Sequence, residues 1–323
     1  MLQGRQVPAE RIEPAITLAE RFETFLRDRA PTAEAALAFS SVLTAEGHNT
    51  SENYITLIRY CRFIGNNEML VALWELIDGG EVGDNLYRLV GEQLGDEVRD
   101  EIYAGIGVAP YGLPSTEKPA TLHPVLKRLQ GRIGEQACRD LLSASLRDLP
   151  DKYYRGEKRR YREAHDIDEY LKKRHRAFVR WLKQCQRQGQ LFFTQEITDE
   201  VVAFVQSDQE IGGGRREGNI VYETNIPYMT KQYLQETDPT MKRYYACHCP
   251  WAREAVRRGD TGLVVDFCYC SGGYHKKPFE VVLGQPLKVQ VLESVLRGDS
   301  RCRFAIYLPE ENEAGCGRSV RAV

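Results

Sequence analysis

No window of this chain approaches the roughly 18 uninterrupted apolar residues that a membrane-spanning helix requires. The N-terminus (MLQGRQVPAERIEP) lacks a basic segment leading into an apolar run, so a secretory leader is not expected there. A charge excess is also missing: 44 basic residues stand against 46 acidic ones, a formal net charge of −2. With 42% hydrophobic and 28% charged residues this reads as a soluble globular protein, and we place it in the cytoplasm with no membrane partner. Several familiar motifs fail as well. GIGVAP at 105–110 lacks the third glycine of a dinucleotide fingerprint, and GGGRREG at 212–218 lacks the Lys-Ser/Thr end of a phosphate loop. No Ser-His-Asp arrangement can be assigned from spacing. The Arg297-Gly298-Asp299 triplet reads as part of a hairpin turn rather than an adhesion signal.

What is present is cysteine, nine in all, five of them gathered between residues 247 and 302 (Cys247, Cys249, Cys268, Cys270, Cys302) around His248 and His275. Two C-x-C pairs, their second cysteines 21 residues apart (270 − 249), precede a lone cysteine after a turn. In a reducing compartment thiols persist, so an odd count with close spacing points to metal binding or redox chemistry rather than a disulfide framework. Five buried small hydrophobes are the plainer alternative. Zinc is the metal we expect, because thiolate, imidazole and an occasional carboxylate suit its tetrahedral sites. An iron-sulfur cluster would ask for wider spacings such as C-x2-C.

The first two thirds of the chain carry helical periodicity. Helices are expected at 14–29, 33–43 (with Thr32 as N-cap), 52–64, 68–77, 84–103, 124–146, 166–187 and 198–206. The segment Gly105 to Thr121, with three glycines and three prolines, marks a boundary between a helical region at 1–118 and a second region at 119–323. Within the latter, a helical lead-in (119–206) precedes a cysteine-rich core (207–323). After Ser207 short β-rich segments appear at 219–223, 263–270, 287–293 and 302–308. The fold class is therefore α+β, helical first and then an antiparallel sheet with packed helices.

Two of those strands alternate cleanly, with Leu287, Val289, Val291 and Glu293 on one face and Cys302, Phe304, Ile306 and Leu308 on another. Paired as a hairpin through Leu-Arg-Gly-Asp-Ser, they set Glu293 beside Cys302 on the inward face, where a carboxylate needs a partner. In the segment 263–270 alternation does not decide which side is buried. Ser271 is placed to cap a following helix that Pro278 must kink or restart, and Pro250 suits the first turn of another.

The run from Cys249 to Leu308, with its CP dipeptide, a cysteine pair before a helix and the closing LESVLRGDSRCRFAI, resembles 2-amino-thiazoline-4-carboxylic acid hydrolase-like proteins and 4-vinyl-reductase domains. From about Gly189 (GQLFFTQEITDEVV, NIVYETNIPYMTKQYL, MKRYYACHCPWARE, FCYCSGGYHKKPFEVVLGQP) the chain is similar to an uncharacterised prokaryotic family allied to these. The resemblance implies an α+β ligand-binding domain with a structural zinc. By that pattern Cys270, Glu293 and Cys302 are ligands. Leu296 stands where a further cysteine is expected, so Cys249, and after it Cys268, is the replacement. The function implied is binding of a small organic ligand, with possible homo-oligomers. The enzyme alternative is hydrolysis of a small cyclic amidine or amide, with His275 shuttling a proton or Cys249 or Cys268 as nucleophile.

Other residues have two readings each. His275, flanked by Lys276 and Lys277, could meet an anionic substrate, or the lysines could be a solvated face. Tyr245, Trp251 and Tyr274, with Tyr244 and Tyr269, are core residues or the walls of a ligand pocket. Finally, residues 152–187 hold thirteen basic residues against five acidic ones. An exposed helix is the default reading there, and nucleic-acid contact the alternative, since no DNA-reading motif accompanies the charge.

Overall fold

The structure is a computed structural model and describes residues 9–144, 146–147, 149–259 and 264–310. Four helices come first: α1 (Ile12–Leu26), α2 (Ala33–Ala45), α3 (Ser51–Phe63) and α4 (Asn67–Ile77). Polar N-caps start three of them, since Thr32, Thr50 and Asn66 accept from the backbone N–H groups of Ala35, Asn53 and Met69. Phe22, Phe39, Leu43, Tyr54, Leu57, Leu70 and Leu73 form the core of this group, with Tyr111 and Leu191 from later segments packed against it.

Next come α5 (Gly80–Leu94), α6 (Asp96–Tyr103), α7 (Lys118–Ile133) and α8 (Glu135–Leu142). The single helices expected at 84–103 and 124–146 are each divided by a glycine with positive φ, Gly95 at +91° and Gly134 at +81°. Pro119 sits in the first turn of α7, so the helix begins before residue 124 and takes Pro124 into its interior. These helices share one core with the cysteine-rich segment: Val82, Leu86, Ile102, Leu126 and Leu142 pack in the same cluster as Cys247, Trp251, Cys270, Val291, Cys302 and Phe304. The boundary expected at 105–121 thus runs through a shared core.

The chain continues through α9 (Arg155–Arg162), α10 (Ile167–Arg187) and α11 (Asp199–Ser207) to strands β1 (Arg215–Glu217) and β2 (Ile220–Thr224). Then follow α12 (Thr230–Gln235), α13 (Pro239–Ala246), α14 (Arg253–Arg258), α15 (Cys268–Leu283), β3 (Lys288–Glu293) and β4 (Arg303–Tyr307). The sheet is antiparallel throughout, in the order β1-β2-β4-β3. The α+β class expected from the sequence is what the chain adopts.

One expected strand is absent. Residue 263 lies outside the described residues, Val265–Phe267 form a 3-10 turn, and Cys268 opens α15. The apolar alternation there reflects a helix entry rather than a pleat, and Ser271 lies inside the helix instead of capping it. Pro278 is carried within α15, which runs on to Leu283.

Candidate functional site: a nest of cysteine thiols

Three segments bring the five cysteines together. Cys247 and Cys249 follow the C-terminus of α13, Cys268 and Cys270 occupy the first turn of α15, and Cys302 precedes β4. Cys247, Cys249 and Cys268 are mutual electrostatic neighbours; Cys270 adjoins Cys249 and Cys268, and Cys302 adjoins Cys268 and Cys247. Cys268 Sγ lies 2.9 Å from Ser294 Oγ, and Cys247 Sγ approaches the carbonyl of Cys249 at 3.9 Å. Burial among apolar residues raises every one of these thiols. Cys247 is pushed up to about 11, and Cys268 and Cys270 to about 12. Burial and then the neighbouring thiols hold Cys249 and Cys302 well above the ordinary thiol value.

As placed, no group of three or more His, Cys, Asp or Glu side chains among the described residues is set to hold a metal ion. The chemistry of the donor set is nonetheless that of a soft or borderline cation. Membership differs from the expected one at Glu293. Val289 faces Ile306 and Val291 faces Phe304, as the alternation predicts, but a bulge between Val291 and Glu293 shifts the register so that Glu293 pairs with Arg303. One inserted residue turns a side chain to the opposite face. Glu293 therefore leaves Cys302 and accepts two hydrogen bonds from Arg301, at 3.0 and 2.8 Å. Hydrogen bonding from Arg301, outweighing the effect of burial, holds the Glu293 carboxyl below its ordinary value.

His248 donates from Nε2 to the carbonyl of Ile226 at 2.5 Å, which leaves Nδ1 as an acceptor. Burial lowers its pKa to about 4, so the ring is neutral at physiological pH. His275 is held on both sides: Nδ1 lies 2.7 Å from Glu223 Oε2 and Nε2 lies 2.5 Å from Asn225 Oδ1, while the ring stacks on Phe304 at 4.5 Å. The Asn225 amide turns its Oδ1 to the ring and donates from Nδ2 to Ser271 Oγ at 3.4 Å. Glu223 in turn pairs with Arg174, which also reaches Glu157 at 3.3 Å. Burial opposes charge on Glu223, but Arg174 and His275 prevail and keep its carboxyl below the ordinary value. The cysteine-rich pattern singles out His275 but not its partners Glu223 and Asn225. The signal was available in the period-2 face Val221, Glu223, Asn225, a carboxylate sharing the buried side of a strand.

The remaining candidates separate into core and rim. Trp251, expected at a pocket wall, is only 3% exposed and donates from its indole to the carbonyl of Gly79 at 2.9 Å. Lys276 is buried as well, donating to the carbonyl of Leu287 and pairing with Glu280 at 2.8 Å, so it forms no part of a solvated face. Tyr245 is half-buried against Tyr244. Tyr274 keeps 39% of its surface yet is raised by burial, and Glu81 combines 44% side-chain exposure with a carboxyl raised by burial. Arg147 lies 3.5 Å from Asp78 and 3.9 Å from Glu81, and is electrostatically coupled to Cys270 and Cys249.

A separate cleft of about 720 Å³ opens between α2, α4 and the loops before α7 and α12, lined by Leu37, Val71, Leu76, Gln195, Met229 and Lys231 among others. None of the five cysteines lines it. Its wall residue Glu75 accepts a hydrogen bond at 3.1 Å from Arg253, a buried guanidinium that begins α14 four residues after Cys249 and lies over the Tyr228 ring at 4.2 Å.

A model for a family of unknown function, DUF6144, matches residues 230–313, the stretch that holds all five cysteines. No curated protein and no solved structure matches this chain. No helix among the described residues is long and apolar enough to cross a membrane.

Proposed function

We propose that this is a small-molecule-binding protein whose cysteine nest holds a zinc ion that fixes the C-terminal segment in place. The carrying observation is the convergence of five thiols from three separate segments on one apolar centre. Cys247, Cys249 and Cys268, the mutual neighbours, are the ligands we assign first, with Cys270 and Cys302 supplying the fourth. A bound zinc would supply positive charge that turns neutral thiols into thiolates. The protein's own contribution is an apolar shell that buries Cys247, Cys270 and Cys302 and leaves Cys249 and Cys268 partly exposed.

The small organic ligand is assigned to the 720 Å³ cleft, whose volume lies within the usual range for ligand pockets. Support for binding over hydrolysis comes from the side chains themselves. Thiols raised to 11 or above are poor nucleophiles at neutral pH, and both nitrogens of His275 are already engaged.

Calorimetric titration of anaerobic, metal-stripped protein with zinc is the test. Stoichiometric uptake with proton release, accompanied by a higher melting temperature, is expected. Proton release follows because neutral thiols must ionise to bind. Absence of uptake by a folded, fully reduced chain would refute the zinc assignment.

A further inference from the structure

Two groups stand out in the basic run at 152–187 of the folded chain. One is paired: Arg160 with Glu157, Lys173 with Glu169, and Arg174 with Glu157 and Glu223. The other lies on α10, where Lys172, Arg176, Arg180, Lys183 and Arg187 are all exposed. Their spacing of four, four, three and four residues places them along one face of the helix, away from the buried Leu171, Leu182 and Cys185. At 1.5 Å per residue the stripe is about 22 Å long. None of the five has an acidic partner among the described residues.

A face that serves only solubility mixes both signs. Here the acidic residues of α10, Asp168 and Glu169, are confined to its first turn, and from Tyr170 to Arg187 there are none. The segregation occurs in a chain whose totals nearly balance, 44 against 46. At its C-terminal end the stripe enters a shallow groove of about 330 Å³ between α10 and α11, where Lys183 and Arg187 stand beside Gln186, Val202, Gln206 and one carboxylate, Asp199, which accepts a hydrogen bond from Gln186 at 2.9 Å.

We propose that this face of α10 docks the phosphate backbone of a nucleic-acid duplex without reading its sequence. Charge complementarity carries the assignment: a rod bearing five cations over about 22 Å fits a rod bearing one phosphate per 3.4 Å on each strand. Lysine and arginine at helical spacing meet phosphates whatever the sequence, and no DNA-reading motif accompanies the charge, so backbone contact is the expected mode. An anionic membrane is the weaker match, because surface-lying helices insert an apolar face. The apolar face of α10 is already packed in the core, with only Trp181, 50% exposed, at its flank.

The test is fluorescence anisotropy of the full chain with a mixed-sequence DNA duplex between 50 and 200 mM salt, alongside vesicles containing phosphatidylserine. With about five phosphates neutralised, a plot of log affinity against log salt should fall with a slope of about −4.5. In the triple variant Arg176→Gln, Arg180→Gln, Lys183→Gln the slope should shrink to about −2. The three positions are exposed, and an unchanged melting temperature verifies the fold. A slope near zero, an unchanged slope in the variant, or binding to vesicles without binding to duplex would each overturn the proposal.

Discussion

The indole N–H of Trp251 donates to the carbonyl of Gly79 at 2.9 Å, tying the turn between α4 and α5 to the residue two places beyond Cys249. The approach is close because Gly79 has no side chain. A Cβ there would stand 2.8 Å from Pro250 Cγ and 2.9 Å from Trp251 Nε1, and φ at +72° already suits glycine. Gly79→Ala should therefore cost about 2 to 4 kcal/mol, combining backbone strain with overpacking. Trp251→Phe, which leaves the carbonyl unpaired, should cost about 1 to 3 kcal/mol. Urea unfolding of both variants checks these values, and a neutral Gly79→Ala would show that the two segments are not held this tightly.

The thiols set the response to alkali. Cys247, Cys268 and Cys270 rise from 9.0 to between about 11 and 12, so the folded chain keeps protons that the unfolded chain gives up. Stability from these groups is whole below pH 9 and is lost as pH climbs toward 12. Lys118 acts in the opposite sense. Burial lowers it from 10.5 to about 8, so its contribution grows as pH rises through that interval. Three or more thiols outweigh one lysine, and metal-free protein should lose stability above pH 9 in thermal melts. Zinc-loaded protein should instead lose its added stability on the acid side, where protons compete for the sulfurs.

Removing charge from Glu223 tests the buried network. Glu223→Gln leaves Arg174 with Glu157 as its remaining acidic partner and should destabilise by about 3 to 5 kcal/mol. His275→Gln, which retains one hydrogen bond and no charge, should cost less, about 1 to 3 kcal/mol. Equal losses in denaturant unfolding would assign the stabilisation to the histidine rather than the ion pair.

Glu293 and Cys268 should behave differently toward metal. Glu293→Gln loses only its pairing with the half-exposed Arg301 and should change stability by about 1 kcal/mol or less. Its zinc content should equal that of the wild type. Cys268→Ser, at the centre of the nest, should lose the metal. Loss of zinc in Glu293→Gln would return the carboxylate to the ligand set.

The sheet strands at 220–224, 288–293 and 303–307 were legible because alternation reports a one-sided pleat, and the N-cap Thr32 was legible because it carries its own chemistry. Residues 265–270 misled because a short apolar alternation also fits a 3-10 turn running into a helix. The convergence of the cysteines was implied by their pairing along the chain. The loss of Glu293 from them was not, since a single bulge between Val291 and Glu293 leaves no compositional mark yet turns a carboxylate to the other face. Arg174, Glu157 and Glu223 come from three distant segments, and no local pattern relates them.

The most direct test is zinc per chain, measured by mass spectrometry on anaerobically purified, untagged protein, with Cys249→Ser, Cys268→Ser and Glu293→Gln in parallel. Near one equivalent in wild type and Glu293→Gln, with loss in both cysteine variants, is the predicted result. Metal-free wild type that is folded and fully reduced, or equal zinc in all four proteins, would contradict it.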